Sequence, residues 1–190
     1  MKIAFDTGHP FKWADGGIRV QYESLSKALA NKGVDVEPII WWNKSQNYDL
    51  VQTFYYPNNI TRLALKKKIK VVSYINLDGY TTHNYLKLNA CITEIKFIKK
   101  FRPSIADRLG WRMSEISSHF IVPVLDEIKY LKKLFDIKEK KASSIMHGVD
   151  NKFLVNSWSG RSERLITVGS ICRRKNSLFL VKLANDLKIP

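Results

Sequence analysis

Two stretches of the sequence carry residues suited to binding phosphate. Asp15-Gly16-Gly17 stands where a short apolar segment gives way to a helical pattern. Glycines at a helix start leave the first backbone N–H groups open to an anion. Near the other end, Gly169-Ser170 precedes the basic run Arg173-Arg174-Lys175, whose side chains could hold phosphate oxygens. Each stretch also has a plainer interpretation, a linking turn for the first and an exposed basic loop for the second.

Further polar and aromatic side chains follow predicted strands, where open α/β sheets bind their ligands. Phe54-Tyr55-Tyr56-Pro57 offers aromatic faces that suit a sugar ring. Asn76 could hydrogen bond a sugar hydroxyl but cannot transfer a proton near neutral pH. Asp78 fits a sugar ligand and a turn equally well, and His83 is either a cleft residue or a solvent-exposed loop histidine. Trp41-Trp42 is interpreted as core packing.

The elements that must position these residues alternate between strands and helices. Apolar runs predict six strands, over 2–7, 34–42, 49–54, 70–77, 119–124 and 142–146. Three-to-four spacing predicts helices from Ile18 to the Gly33 stop, over 60–68, 84–101 and 126–135, and one that restarts at Pro103 with Ser104 as its cap. A further strand (164–168) and helix (177–187) follow. The pattern predicts the α/β class, a Rossmann-like parallel sheet with helices on both faces.

The positive charge is unevenly distributed. Lysine and arginine number 32 against 17 acidic residues, and the first 60 residues hold six of each sign, so the excess of +15 falls after residue 60. Such a surface could meet anionic lipid, a phosphorylated substrate or nucleic acid, or be a solvated face. Cys91 and Cys172 match no metal spacing and are expected to be reduced, buried thiols. Asp6 interrupts any signal-peptide core, and no apolar run approaches the ~20 residues of a membrane span.

Several of these phrases together resemble family 4 glycosyltransferases of the GT-B fold. The stretch from Gly16-Gly17 to Val36 is similar to the family's opening loop and helix. The segment from Phe120 to Phe135 resembles the strand and helix before its domain junction, and the segment from Ser144 to Phe153 resembles the junction itself. The segment from Leu165 to Asn176 is similar to the first strand and loop of the donor domain. The resemblance covers about three quarters of the chain, and residues 79–118 contribute little to it.

The resemblance implies a retaining transferase that moves a sugar from a nucleotide-sugar donor to a cell-envelope polysaccharide or a lipid-linked acceptor. Residues 1–156 would form the acceptor-side domain, and 157–190 the start of an incomplete donor domain. The resemblance implies no cofactor and no metal, and it places Lys175 at the position of the family's phosphate-binding lysine. The donor-phosphate candidates are Gly16, Gly17, Gly169, Ser170, Arg173 and Lys175, and the acceptor candidates are Asn76, Asp78, His83 and Tyr55.

This sequence departs from the family pattern at three places. Ser170 replaces an arginine of the donor loop, and Arg173 or Arg174 could substitute for it. Asn76 stands where the family often has a histidine near the reacting centre, so the catalytic residue is left unassigned. The family's Glu-x7-Glu pair does not occur over 160–190, where the only acids are Glu163 and Asp186. The sequence therefore predicts a truncated enzyme whose independent turnover is doubtful.

Other functions are open at this point. The chain could be a non-catalytic acceptor-domain fragment that needs a complementing donor-domain chain. A basic nucleic-acid-binding module is the less favoured alternative, since only the charge indicates it. The segment 95–102 interleaves Lys96, Lys99, Lys100 and Arg102 with apolar residues, which fits either peripheral contact with an anionic membrane or a helix packing on its own sheet. We expect a cytoplasmic location, with the inner face of the membrane as an option.

Overall fold

The computed structural model describes residues 1–8, 17–40, 42–56, 59–149, 155 and 176–188. The chain divides into two compact units, residues 1–147 and 148–190. The domain boundary predicted after residue 156 and the strand predicted over 164–168 lie outside the described residues. In the second unit, the structure describes one long element, the helix α7 (Ser177–Asp186), close to its predicted bounds.

A six-stranded sheet forms the centre of the first unit, and the prediction of the α/β class is confirmed. Its strand order is β2-β1-β3-β4-β5-β6, and every neighbouring pair is parallel. The strands are β1 (Lys2–Asp6), β2 (Asp35–Pro38), β3 (Leu50–Thr53), β4 (Lys70–Tyr74), β5 (His119–Val122) and β6 (Ala142–Ser144). Such an open parallel sheet flanked by helices is Rossmann-like.

The strands end earlier than the apolar runs predict, because the following residues leave the hydrogen-bond ladder. Pro123 directly follows β5 and has no N–H to donate. After β4, Ile75 still donates from its backbone N to the Ile121 carbonyl oxygen at 2.8 Å. Three residues after Ile75, the Asp78 N–H donates to the Asn76 side chain at 2.9 Å, which turns the chain out of the sheet.

Six helices connect or flank these strands. They are α1 (Gly17–Ala30), α2 (Asn59–Lys66), α3 (Asp78–Thr81), α4 (Tyr85–Phe101), α5 (Pro103–Arg108) and α6 (Glu127–Phe135). Asn84 caps α4 by accepting a hydrogen bond from the Lys87 N–H at 2.9 Å. The prediction that Ser104 caps α5 is wrong: Pro103 takes the first helical position, which suits its fixed φ and missing N–H.

The helices cover both faces of the sheet, as predicted. On one face, Tyr22, Leu25 and Leu29 of α1 pack against a cluster of Ile3, Phe5 and Phe54. On the other face, Ala64 of α2 packs with Ala4, Val51 and Val71. Neighbouring strand residues point to opposite faces, so Ile3 and Phe5 meet α1 while Ala4 between them meets α2. β1 is therefore covered on both sides.

The largest core cluster lies between β4–β5 and the helices that follow them. Phe120 and Val122 of β5 are fully buried and pack with residues of α4 and α6, namely Leu88, Ile95, Leu131, Leu134 and Phe135. α4 and α5 connect β4 to β5, which are interior neighbours in the sheet. α4 packs against α5 and α6.

Two expectations about single residues change in the structure. Trp42 was expected in the core, but β2 ends four residues before it and its side chain is 83% exposed. Trp41 lies outside the described residues. Cys91 carries a free thiol and is half-buried on α4, and Cys172 lies outside the described residues.

Replacing Phe120 by Ala should lower the free energy of unfolding by about 3–5 kcal/mol, because it leaves a cavity in the largest cluster. Trp42→Ala, which removes an exposed ring, should change it by less than about 0.5 kcal/mol. Urea unfolding followed by circular dichroism measures both. Equal shifts of the two midpoints would contradict this placement of the core.

Candidate functional site

The strand order creates a crevice at the carboxyl ends of β1 and β3. From β1 the chain moves to β2 on one side, then returns to β3 on the other side of β1. The connections that leave the two strands therefore diverge onto opposite faces, and open α/β sheets bind ligands at such switch points. Asp6 ends β1 and Thr53 ends β3, and the two are register partners.

Asp6 is a largely buried carboxyl group at this crevice, with 5% of its surface exposed. The hydroxyl of Tyr55 donates a hydrogen bond to its Oδ2, and the Gly8 N–H donates to its Oδ1 at 3.2 Å. Burial raises the pKa of Asp6, and these two hydrogen bonds partly oppose the shift. The carboxyl group is thus held in one orientation, at the carboxyl end of β1, an interior strand of the sheet.

Position 8, two residues after Asp6, requires glycine for two reasons. Gly8 has φ +72°, which a residue with a side chain rarely adopts. A Cβ atom there would also lie 2.8 Å from Cε1 of Tyr55. Behind Tyr55, the Thr53 hydroxyl lies 3.2 Å from the Tyr55 carbonyl oxygen and 3.0 Å from the Ser73 hydroxyl. The backbone around Tyr55 is therefore fixed from inside the sheet.

A second polar cluster joins α1, β4 and the end of β6 at the same edge of the sheet. The Tyr74 hydroxyl lies 3.1 Å from Nε2 and 3.3 Å from Nδ1 of His147. The Gln21 amide hydrogen bonds to Nδ1 of His147. His147 is exposed, whereas burial raises the pKa of the half-buried Tyr74. We call Gln21, Tyr74 and His147 the histidine cluster.

The loop after β4 brings two predicted acceptor residues together. Asn76 Nδ2 donates to Oδ2 of Asp78 at 3.2 Å, and Asn76 Oδ1 accepts from the Asp78 N–H at 2.9 Å. The Asn76 side chain therefore forms the turn, a role the sequence allowed for Asp78. Both side chains are exposed to solvent.

Glu127 lies under this loop as a buried carboxyl group, 2% exposed, at the first position of α6. Its Oε1 accepts from the Leu77 N–H at 3.3 Å. Its Oε2 is buried and has no hydrogen-bond partner among the residues the structure describes. Burial raises the pKa of Glu127, and the nearby charge of Asp78 raises it further. Glu127 thereby ties the position of the loop to α6.

The structure brings some of the predicted site residues together and leaves one apart. Tyr55 contacts Asp6, and Asn76 contacts Asp78. His83 instead packs its ring against Tyr80, with 6.2 Å between ring centroids. Gly17 begins α1, and a Cβ there would meet no described atom within 4 Å. The remaining donor-phosphate candidates lie outside the described residues: Gly16, Gly169, Ser170, Arg173 and Lys175.

Sequence reasoning missed Asp6, Gln21, Tyr74, Glu127 and His147 as site residues. The signal for Asp6 was present, a charge at the end of an apolar strand followed by Thr7-Gly8, where a loop must start. His147 likewise follows a predicted strand. Gln21, Tyr74 and Glu127 carried no such signal, because their proximity arises only when three strands and two helices are assembled.

This edge of the sheet is suited to a small, hydroxyl-rich ligand. Carboxylates accept hydrogen bonds from hydroxyl groups, amides both accept from them and donate to them, and the rings of Tyr55 and Tyr74 offer flat apolar faces. His147 adds an imidazole, a side chain often used in general acid–base chemistry. Among the described residues, no group of three or more His, Cys, Asp and Glu side chains is arranged to hold a metal ion.

The fold and this edge define the chain as an α/β protein with a Rossmann-like open sheet and a polar site at its switch point. Searches of protein-family models and of curated proteins found no match to the sequence. In the part of the chain that the structure describes, no helix combines the length and apolar character of a membrane span.

Gly8→Ala should destabilise the first unit by at least about 2 kcal/mol, since a left-handed conformation alone costs a side-chain residue roughly 1–2 kcal/mol. The matched control is Gly79→Ala in α3, where an added Cβ meets no described atom within 4 Å and stability should stay within about 1 kcal/mol. Chemical unfolding compares the two variants. Equal stability of both would contradict the contact between Gly8 and Tyr55.

Asp6→Asn should alter how stability depends on pH. Because burial raises the pKa of Asp6 in the folded state, the native protein binds this proton more tightly than the unfolded chain does. The free energy of unfolding then falls as pH rises from about 4, the ordinary carboxyl value, through the folded pKa.

The variant lacks this titration, so its stability relative to the wild type should increase over the same window. Glu127 shifts in the same direction but is present in both proteins, so it cancels from the difference. Urea unfolding at a series of pH values measures the difference. A difference that does not vary with pH would contradict a raised pKa for Asp6.

Proposed function

We propose that this chain provides the acceptor-side domain of a retaining glycosyltransferase that uses a nucleotide-sugar donor. One observation carries the proposal: Asp6, Tyr55 and the histidine cluster lie together at the carboxyl edge of the sheet, around its switch point. The resemblance of the glycine loop, the junction and the donor loop to family 4 glycosyltransferases is a second support, and it shares Gln21 and His147 with the first.

The polar groups at this edge would orient the acceptor. A carboxylate that accepts from a sugar hydroxyl makes a charge-assisted hydrogen bond, stronger than a neutral one. Asp6 is already fixed by Tyr55 and Gly8, so it would lose little freedom when it binds. Asn76 and Asp78 lie on the next loop along the edge, and their side chains are exposed to solvent.

His147 is the residue we assign to proton exchange with the acceptor hydroxyl. Asn76 occupies the position of the family histidine and cannot carry a proton, but His147 contacts Tyr74, two residues before Asn76. The Tyr74 hydroxyl and the Gln21 amide both lie within hydrogen-bond reach of the imidazole. An acceptor hydroxyl that reaches His147 would meet an exposed imidazole, a side chain that can accept its proton.

The donor diphosphate would bind Gly16-Gly17 and the loop with Arg173 and Lys175. N–H groups at the start of α1 and the lysine charge would stabilise the diphosphate as the sugar departs. The acceptor would be a saccharide or a lipid-linked saccharide, and a complementing donor-domain chain is a second partner this function allows. A cytoplasmic site, at the inner face of the membrane, would meet both substrates.

Calorimetric titration with UDP, GDP and their sugar conjugates tests the donor side, with inorganic phosphate as the control for charge alone. We expect saturable binding of at least one nucleotide that phosphate does not reproduce and that Lys175→Ala weakens about tenfold or more. Lys140→Ala, an exposed lysine in the 3-10 turn at Glu139–Lys141, is the matched control and should bind as the wild type does.

Saturation-transfer NMR with a panel of free saccharides tests the acceptor side separately. Saccharide contact that is lost in Asp6→Asn but kept in Lys140→Ala would support the assignment of this edge. Absence of both nucleotide and saccharide binding at millimolar ligand would overturn the proposal. Saccharide binding alone would overturn the donor assignment and leave a non-catalytic sugar-binding domain.

A further inference from the structure

A groove of about 980 Å³ lies between α4 and α6, away from the candidate site. Its floor includes Leu88, Ile92 and Leu134, and its rim carries five lysines from the two helices: Lys96, Lys99, Lys100, Lys132 and Lys133. The one acidic side chain that lines it is Asp136, just after α6. The groove therefore concentrates positive charge from two elements that are about 30 residues apart in sequence.

Few acidic partners neutralise these lysines. Among the described residues, Lys132 forms one ion pair, with Glu139 at 3.5 Å, in which both side chains are well exposed. Exposed pairs of this kind contribute little and are screened by salt. The Lys100 ammonium lies over the ring of Phe101, 5.2 Å from its centroid. Most of the charge along the groove is thus available to an external anion.

An exposed apolar row lies beside the lysines on α4. Leu86, Phe97 and Phe101 are rotated from the lysine face by about a third of a turn around the helix axis, at about 100° per residue. Phe97 and Phe101 are 56% and 60% exposed, and their rings contact each other with centroids 4.8 Å apart. Ile95 of the same segment is buried in the core, as in a helix that packs on its own sheet, whereas Phe97 and Phe101 stay exposed.

We propose that this surface docks the protein on an anionic lipid bilayer, with headgroup phosphates in the lysine groove and the Phe97–Phe101 pair at the acyl boundary. Charge complementarity favours an anionic partner. The exposed phenylalanine pair beside the charge favours a bilayer over a soluble phosphate, since a free anion offers nothing for those rings to bury against. This inference stands independently of the glycosyltransferase proposal, because it uses none of the residues at the sheet edge.

Sedimentation with vesicles of phosphatidylcholine containing phosphatidylglycerol tests the proposal, with pure phosphatidylcholine vesicles as the comparison. We expect binding to the anionic vesicles that weakens as salt increases. The double variant Lys99→Glu and Lys133→Glu should bind at least about tenfold more weakly, since each basic residue near an anionic surface contributes roughly fivefold. Phe97→Ser with Phe101→Ser should also reduce binding, including the part that salt does not remove.

The matched control variants make the same kinds of substitution at a different surface of the protein. Lys32→Glu with Lys44→Glu makes the same change in net charge beside β2, at the far end of the sheet, and should leave most of the binding intact. Trp42→Ser removes an exposed ring from that same region and should have no effect. Urea midpoints confirm that each variant is folded.

Three outcomes would overturn the proposal. The first is that the two double lysine variants, in the groove and beside β2, lose vesicle binding equally, which would indicate attraction by net charge alone. The second is binding that millimolar glycerol phosphate abolishes and that the phenylalanine variant retains, which would indicate a soluble phosphate ligand. The third is that the protein binds single-stranded RNA at the same ionic strength, and that Lys99→Glu with Lys133→Glu abolishes RNA binding but not vesicle binding. This result would indicate a nucleic-acid-binding surface.

Discussion

The rest of the structure depends on the hydrogen bonding of β1 on both of its edges. β1 (Lys2–Asp6) pairs with β2 along one edge and with β3 along the other. Its two faces are covered by α1 and α2. The apolar run of Ile3, Ala4 and Phe5 makes this possible, because a strand covered on both faces requires apolar side chains at successive positions. Because β2 and β3 lie on opposite sides of β1, the strand order reverses at β1, and this reversal creates the crevice at its carboxyl end.

That crevice explains why buried polar groups cluster at one edge of the sheet. Asp6 is satisfied by Tyr55 and Gly8, and the Ser73 hydroxyl lies 2.6 Å from that of Ser117 inside the sheet. An unpaired buried polar group costs about 1–3 kcal/mol. The hydrogen bonds therefore offset most of the cost of desolvation and hold the edge in one arrangement. Glu127 departs from this pattern, since only one of its two oxygens has a partner among the described residues.

Two surfaces of the first unit differ in the charge they carry. Asp6, Asp78 and Glu127 lie at or near the carboxyl edge of the sheet, where each carboxyl group accepts a hydrogen bond from neighbouring backbone or side chains. The lysines of α4 and α6 line a groove on the helical layer, and the apolar faces of the same helices form the largest core cluster. Lysine suits this position because its long stem packs along apolar surface while its ammonium stays in water. The two proposals therefore concern surfaces that can be tested separately.

The sequence by itself determined the class of fold and the existence and type of most elements, because apolar periodicity and glycine or proline stops act locally. The strand from Lys2 and the helices at 84–101 and 126–135 were predicted within about two residues. Local patterns could not determine strand order, and so could not show that Asp6 meets Tyr55 or that Tyr74 meets His147. The same limit applies to Trp42 and Ile95, whose exposure depends on where a strand ends and on which helix face meets the core. Asp6 and Tyr55 are 49 residues apart in the sequence, and Tyr74 and His147 are 73 residues apart. Only the tertiary structure decides such contacts, because they form when distant strands pair side by side.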